Sequence, residues 1–236
     1  MRPHDHWEVL PHGPIERLAD NLYTVVGRLK ITRPFGETQR RMTIARLEGN
    51  RLAIFSAIAL AEPAMRELEA LGDPTFLIVP SGIHRIDAGP WKERYPDLVV
   101  IAPAGAQLRI GEVVTIDTTR VQLGDPRVLL DYIPGTEQRE LAMTVETETG
   151  KTLVINDLIF NLPHMGGIAE LGLRVLGFGP GHPTIPKLVK RKLVEDDGAM
   201  RAQLREWADA GFERILVAHG APIENPRRTL LELAAA

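Results

Sequence analysis

The sequence has no cysteine among its 236 residues. Disulfide bonds, thiolate zinc sites and cysteine nucleophiles are therefore excluded, and any metal must be bound by histidine and carboxylate side chains. Long apolar runs are missing too. No segment approaches the ~18 apolar residues that a membrane helix needs, and no apolar run follows a basic start at the N-terminus. These absences predict a soluble, cytoplasmic protein that does not enter a membrane.

A strong excess of one charge is missing as well. The formal net charge is −3, and acidic and basic residues are interspersed, so the chain lacks the basic surface of a nucleic-acid-binding protein. The motifs Gly-x-Ser-x-Gly, Gly-x-x-x-x-Gly-Lys-Ser/Thr and His-Glu-x-x-His do not occur, which removes three common catalytic templates. We expect a small-molecule substrate or ligand as the partner, and the oligomeric state stays open.

Apolar patterns along the chain predict alternating strands and helices. The predicted strands are 21–30, 42–58 with a hairpin turn at 48–50, 75–79, 98–102, 128–133, 141–146, 152–155 and 214–218, and the predicted helices are 62–71, about 90–95, and 198–210. This order predicts an α/β (α+β) fold: a four-layer α-β-β-α sandwich of two mixed β-sheets, one from each half of a single domain, 1–236. The long irregular segment 161–192 is predicted to be a lid or an insertion.

Polar residues directly follow three of the predicted strands. The loop SGIHRIDAG, which contains His84 and Asp87, follows the apolar strand FLIVP; Asp157 follows TLVIN, and His219 follows RILVA. The carboxyl ends of strands are where α/β proteins tend to place their sites. The four residues are therefore candidates for one functional site.

The order of these motifs resembles the metallo-β-lactamase-fold superfamily, and the resemblance covers most of the chain. The first loop of that superfamily normally reads Thr-His-x-His-x-Asp-His-x-Gly. When Ser81 is placed at its first position, His84 falls on a histidine ligand and Asp87 on a position where an aspartate would replace histidine. Gly82 and Ile86 fall on the other two ligand positions, and neither side chain can coordinate a metal.

The resemblance also implies roles for the later motifs. Asp157 corresponds to the carboxylate that bridges two metals, and His219 to the last histidine ligand, whereas Thr136 in IPGTEQ stands where a Pro-Gly-His loop normally carries its histidine. A metal pair needs about seven ligands, which this chain does not supply. The implied cofactor is at most one ion, Zn, Fe or Mn, with His84, Asp87, Asp157 and His219 as its ligands.

Two segments, PSGIHRIDAGPWKERYPDLVVIAPAG and TLVINDLIFNL, are similar to the branch of this superfamily called DUF4336, which has no settled activity. Two hypotheses follow. The first is a hydrolase with a reduced, mononuclear metal site that acts on a small ester, amide, thioester or phosphodiester. The second is a non-catalytic protein of the same fold, which binds a ligand or partner in the cleft between its sheets and needs no metal.

Each candidate ligand also has a purely structural interpretation. His84 could be a hydrogen-bonded buried side chain, Asp157 could cap a turn, and His219 with the following glycine could simply end a strand. His4 and His6 form a His-x-His pair, which we expect to lie in a mobile N-terminus. His164 and His182 lie in the segment 161–192, where either could replace a missing ligand, and the sequence does not decide whether one does.

Overall fold

Two β-sheets lie at the centre of the computed structural model, which describes residues 3–30, 37–164 and 166–236. The strands are β1 (Glu16–Arg17), β2 (Leu22–Lys30), β3 (Glu37–Arg46), β4 (Arg51–Phe55), β5 (Asp73–Ile78), β6 (Val99–Ile101), β7 (Val128–Tyr132), β8 (Leu141–Thr147), β9 (Gly150–Ile155) and β10 (Phe212–Val217). The helices are α1 (Glu62–Leu71), α2 (Ala88–Arg94), α3 (Gln107–Ile110), α4 (Gly167–Val175), α5 (Lys187–Leu193), α6 (Asp197–Asp209) and α7 (Pro226–Ala235).

The first sheet has six strands in the order β1-β2-β3-β4-β5-β6. Its first four strands pair antiparallel, whereas β4–β5 and β5–β6 pair parallel. The parallel pairs need crossover helices, and α1 and α2 provide them. In α1, Pro63 lies in the first turn and Met65 and Leu68 are buried, which is the pattern of a helix packed on a sheet.

The second sheet has four strands in the order β10-β9-β8-β7. The strands β7, β8 and β9 form an antiparallel meander, and β10 joins β9 in parallel. The parallel pair brings the carboxyl ends of β9 and β10 to the same edge of the sheet. Asp157 and His219 each come two residues after one of these strands.

Three buried clusters of apolar side chains separate the layers. Side chains such as Phe55 and Ile78 of the first sheet pack against Met143 and Leu216 of the second sheet, which makes the cluster between the sheets. A second cluster lies between the first sheet and α1 to α3, and a third lies between the second sheet and helices α6 and α7. The layer order is therefore α-β-β-α, which confirms the predicted fold class.

Most predicted elements lie where the patterns place them. The hairpin turn at Glu48–Asn50 joins β3 to β4, and α1 has the predicted bounds. The segment 161–192 is less irregular than its sequence indicates, because α4 lies within it and most of α5 does too. Helix α7 was not predicted, although Leu230, Leu233 and Ala234 form its buried face.

No helix in the described part of the chain has both the length and the apolar character needed to cross a bilayer.

Candidate metal centre

Three of the predicted ligands meet at one point between the two sheets. His84 Nε2 lies 3.1 Å from Asp157 Oδ1, His219 Nε2 lies 3.5 Å from the same oxygen, and the two Nε2 atoms are 3.1 Å apart. Ligands bound about 2.0–2.1 Å from a tetrahedral ion lie about 3.3–3.4 Å from one another. The triangle formed by His84, Asp157 and His219 therefore fits a single divalent ion.

The hydrogen bonds of the two imidazoles suit a metal ligand as well. His219 Nδ1 donates to the backbone oxygen of Gln39, 2.7 Å away; since a carbonyl only accepts, the neutral ring has its lone pair on Nε2, facing the centre. His84 Nδ1 lies 2.9 Å from the hydroxyl of Ser56. Such outer hydrogen bonds fix the orientation of metal-binding histidines.

Asp157 is held with one carboxylate oxygen free to face the imidazoles. Its Oδ2 accepts from the Ser81 hydroxyl at 2.8 Å and from the Asn156 amide at 3.2 Å, which leaves Oδ1 at the centre. Burial acts to raise the pKa of Asp157, but its electrostatic interactions and hydrogen bonds with His84 and His219 outweigh burial and hold that pKa well below its usual range. An ionised, buried carboxylate between two imidazoles is the arrangement that a bound cation would stabilise.

Ser81 and Glu140 fix the loops that carry these ligands. The Ser81 hydroxyl also accepts from the backbone N–H of His84 at 3.4 Å, so it joins the two ligand loops. Glu140 Oε1 accepts from the backbone N–H groups of Asp157 and Leu158 at 2.7 and 3.1 Å. Burial, and then the negative charge of Asp157, raise the pKa of Glu140 well above its ordinary value.

Two backbone positions at the site need unusual conformations. Gly220, which follows His219, has a φ of 116°, and a Cβ there would lie 1.9 Å from the carbonyl oxygen of Asn161. Ser56 has a φ of 59° at the end of β4. Left-handed backbone is costly for a residue other than glycine, and such strain is concentrated at functional sites.

The structure does not bring Asp87 into the group. Its buried carboxylate forms an ion pair with Arg40 and accepts a hydrogen bond from His4 Nδ1 at 2.8 Å, so both of its oxygens already have partners. In this structure Asp87 is therefore not placed as a ligand, because its two carboxylate oxygens bind Arg40 and His4 and it lies outside the group of His84, Asp157 and His219. Among the described residues, the group of potential metal ligands at this site contains His84, Asp157 and His219.

The other histidines lie elsewhere. His164 is exposed and pairs with Glu170 within the segment 161–192, and His182 packs against Gly179 in the same segment, so neither replaces a missing ligand in this structure. Thr136 is fully buried and its hydroxyl donates to the carbonyl of Ile133.

The described residues of the N-terminal segment form hydrogen bonds with the rest of the chain, and the mobility of this end stays a prediction. The backbone N–H of His4 donates to the carbonyl of Ile86, and the indole N–H of Trp7 donates to the carbonyl of Leu60.

The segment 161–192 contacts the site indirectly, through the ring of Phe160, the residue that precedes it. The ring of Phe160 stacks on His219 with centroids 4.6 Å apart, and Phe178 packs edge-on against Phe160 at 5.3 Å. Leu173 of α4 joins the same small cluster. The segment 161–192 therefore packs against Phe160, which in turn contacts His219, and its assignment as a lid or insertion stays a prediction.

Sequence reasoning missed Arg40, Ser56 and Glu140. The sequence does contain a signal for Arg40. Two consecutive arginines, Arg40 and Arg41, lie in a strand with apolar neighbours, and a buried charged side chain usually has a structural or functional role because its burial is costly. Both are buried. Ser56 and Glu140 carry no signal of this kind in the sequence, because their roles arise from contacts with distant segments.

No family model matches the chain, and no curated protein matches it. Solved structures do. The DIM-1 metallo-β-lactamase exposed to ceftazidime is 13% identical, with a TM-score of 0.65 over 97% of this chain and 98% of that one. The FIM-1 metallo-β-lactamase from Pseudomonas aeruginosa, in its mono-zinc form, is 10% identical, with a TM-score of 0.60 and 96% of each chain covered.

A metallo-β-lactamase from Hirschia baltica is 14% identical, with a TM-score of 0.59 over 94% of this chain and 97% of that one. At these identities the likeness concerns the fold alone. The chain has the metallo-β-lactamase fold, as its motifs predicted, and the finer resemblance to DUF4336 stays a prediction.

Proposed function

We propose that the protein is a metal-dependent hydrolase that binds one divalent ion through His84, Asp157 and His219. The observation that carries the proposal is the spacing of the three ligand atoms, 3.1, 3.1 and 3.5 Å, together with the Nδ1 bond that leaves the Nε2 lone pair of His219 facing the centre. Two imidazoles and one carboxylate suit Zn²⁺, Fe²⁺ or Mn²⁺. The fold also holds a single zinc in another protein, since one similar structure is a mono-zinc form.

The proposed substrate is a small ester, amide, thioester or phosphodiester. An ion at this position would acidify a water molecule or polarise a carbonyl or phosphoryl oxygen. The residues of the chain supply the framework: Ser81 and Asn156 orient Asp157, Gln39 orients His219, and Ser56 orients His84. We also propose membership of the DUF4336 branch, on the two segments quoted above.

A specific observation favours the second candidate, a non-catalytic protein that binds a ligand. The pocket beside His84 and His219 has a volume of about 10 Å³, room for about one water molecule. A substrate larger than this cannot reach the two histidines without a rearrangement, whereas the ligand or partner of a non-catalytic protein can bind elsewhere in the cleft between the sheets.

Metal analysis of protein purified without chelators separates the two candidates. The hydrolase requires about one tightly bound ion per chain, lost in His219→Ala and retained in the matched control His182→Ala, whose histidine lies outside the group. Protein free of zinc, iron and manganese after incubation with each would contradict the hydrolase and leave the binding protein.

A further inference from the structure

Arg40 is a buried cation at the edge of the candidate metal centre. It lies on β3, its side chain is only 5% exposed, and its Nη1 donates to Asp87, whose side chain is fully buried. His4 Nδ1 donates to the other oxygen of Asp87. One side of the Arg40 guanidinium is thus fixed by Asp87, and His4 fixes the carboxylate of Asp87.

The opposite edge of the guanidinium has no partner. Arg40 Nε and Nη2 are both buried, and neither has a hydrogen-bond partner among the described residues. Buried donors on a charged group are rarely left unpaired, because they lose their hydration without compensation. Two unpaired donors on one side chain indicate a place for an acceptor.

These two nitrogens form a recognised binding edge. Nε–H and one N–H of Nη2 point in the same direction within the plane of the guanidinium, and together they can donate to one oxyanion. The bond from Nη1 to Asp87 leaves this edge available and restricts rotation of the side chain. The edge is therefore oriented before any ligand binds.

The pocket that Arg40 lines also contains the two histidines. Its walls are Leu29, Arg40, Ser56, Ala57, His84, Ile86 and His219. Apart from Arg40, the residues of this lining with polar side chains are His84, His219 and Ser56. At about 10 Å³, the pocket accepts one oxygen atom and leaves the rest of a larger ligand outside.

We propose that Arg40 binds an oxyanion, with one oxygen of a carboxylate or phosphate entering the pocket and accepting from Nε and Nη2. The anion site itself stands on Arg40 alone. Its role as the part of the site that selects an anionic substrate, beside the ion bound by His84, Asp157 and His219, rests on the proposed function.

The test is a calorimetric titration, in which chelator-treated protein is titrated with acetate and, separately, with inorganic phosphate. We expect saturable binding of at least one of the two anions, with one site per chain. The double variant Arg40→Gln/Asp87→Asn, which leaves no unpaired carboxylate, should lose about tenfold or more in affinity, the scale of a lost charge-assisted bond. The control Arg28→Gln, an exposed arginine on the neighbouring strand, should bind as the wild type does.

Arg40→Lys keeps a cation for Asp87 but removes the guanidinium edge, so it tests the proposal even when the double variant does not fold. It should also lose affinity for the anion. Binding of acetate alone identifies a carboxylate as the ligand, and binding of phosphate alone identifies a phosphate. Absence of saturable binding for both anions, or full affinity in Arg40→Lys, would overturn the proposal.

The two proposals fail separately in this design. Anion binding that depends on Arg40, in a protein that binds no metal, removes the hydrolase and keeps the anion site. A protein that binds metal but neither anion would keep the hydrolase proposal and remove the anion site.

Discussion

At the scale of single residues, the candidate metal centre depends on side chains that form hydrogen bonds with the three ligands but do not themselves face the ion. Ser56 is the clearest example. Its backbone has a left-handed conformation, and its hydroxyl lies 2.9 Å from His84 Nδ1. Outer hydrogen bonds of this kind typically contribute about 10–100-fold to metal affinity. The left-handed backbone at Ser56 therefore supports a role of its hydroxyl at the site.

Two substitutions of Ser56 separate the contribution of its hydroxyl to metal binding from the cost of its backbone conformation. We expect Ser56→Ala and Ser56→Gly each to weaken zinc binding by about 10–100-fold, measured by competition with a chelating dye, because both lose the hydroxyl. Ser56→Gly should be more stable to urea than Ser56→Ala by about 1 kcal/mol, because glycine adopts the left-handed backbone without strain. Equal zinc affinity in the wild type and both variants would mean that the hydroxyl does not orient His84.

Glu140 gives the protein a predictable pH dependence. Its pKa is raised in the folded state by burial and by Asp157, so the folded protein retains a proton that the unfolded chain releases above about pH 4.5. This contribution makes the wild type lose stability as pH rises from about 4.5 through the raised pKa. Glu140→Gln cannot titrate, so in chelator-treated protein its urea midpoint should improve relative to the wild type between pH 5 and pH 8. A difference between the two proteins that does not change with pH would contradict the raised pKa.

At the scale of elements, the positions of the ligands are determined by the turns that follow the strands. β10 ends at Val217, and the chain then turns at Gly220 so closely to Asn161 that a Cβ would lie 1.9 Å from its carbonyl oxygen. Arg41 of β3 holds the same turn, donating to the carbonyls of Val217 and Gly220 at 3.1 and 3.0 Å. The position of His219 is thus fixed by contacts from both sheets.

Gly220→Ala should displace this turn. We expect a loss of more than about 2 kcal/mol in the free energy of unfolding, since both the left-handed φ and the clash oppose a side chain, together with a loss of bound metal. The matched control is Gly211→Ala, where φ is 74° and nothing lies within 4 Å of the added Cβ; it should cost only about 1–2 kcal/mol of backbone strain. Similar losses in the two variants would mean that the close approach to Asn161 is not a constraint.

The elements that the sequence predicted are those with a local pattern. The helix 62–71 has apolar residues at helical spacing and a proline in its first turn, and the hairpin at 48–50 has a glycine and an asparagine with positive φ. Helix α7 was missed although it has the length of α1 and, like α1, a proline in its first turn, and its burial depends on contacts with α6 and β10. His84, Asp157 and His219 were found because they directly follow apolar strands.

The contacts of Asp87 could not be predicted in the same way. Its partners, His4 and Arg40, are 83 and 47 residues away along the chain. The pairings of β3 with β4 and of β4 with β5 bring Arg40 close to the loop that carries Asp87, and the course of the N-terminal segment brings His4 to it. A sequence motif gives the residue type at a ligand position, but tertiary contacts decide whether that residue faces the ion.

At the scale of the whole molecule, the centre joins the two sheets. His84 comes from the loop after β5 of the first sheet, whereas Asp157 and His219 follow β9 and β10 of the second. An ion bound to all three would therefore stabilise the packing of one sheet on the other as well as its own loops. This coupling makes metal binding visible in global unfolding.

Zinc should raise the midpoint of thermal unfolding. At free zinc about 100 times the dissociation constant, the gain is about 2.7 kcal/mol, which corresponds to about 5–10 °C for a protein of this size. The shift should disappear in His219→Ala and persist in His182→Ala. An unchanged midpoint in the wild type at saturating zinc would exclude a centre that spans the sheets.

The order of the ligands along the chain has a consequence for folding. His84 follows β5, Asp157 follows β9 and His219 follows β10, the last strand of the described sheets. The inner apolar face of the first sheet packs against strands that are all synthesised after it, and an exposed apolar face makes a partly synthesised chain prone to aggregation. An ion could contact all three ligands only after β10 has been synthesised and paired with β9.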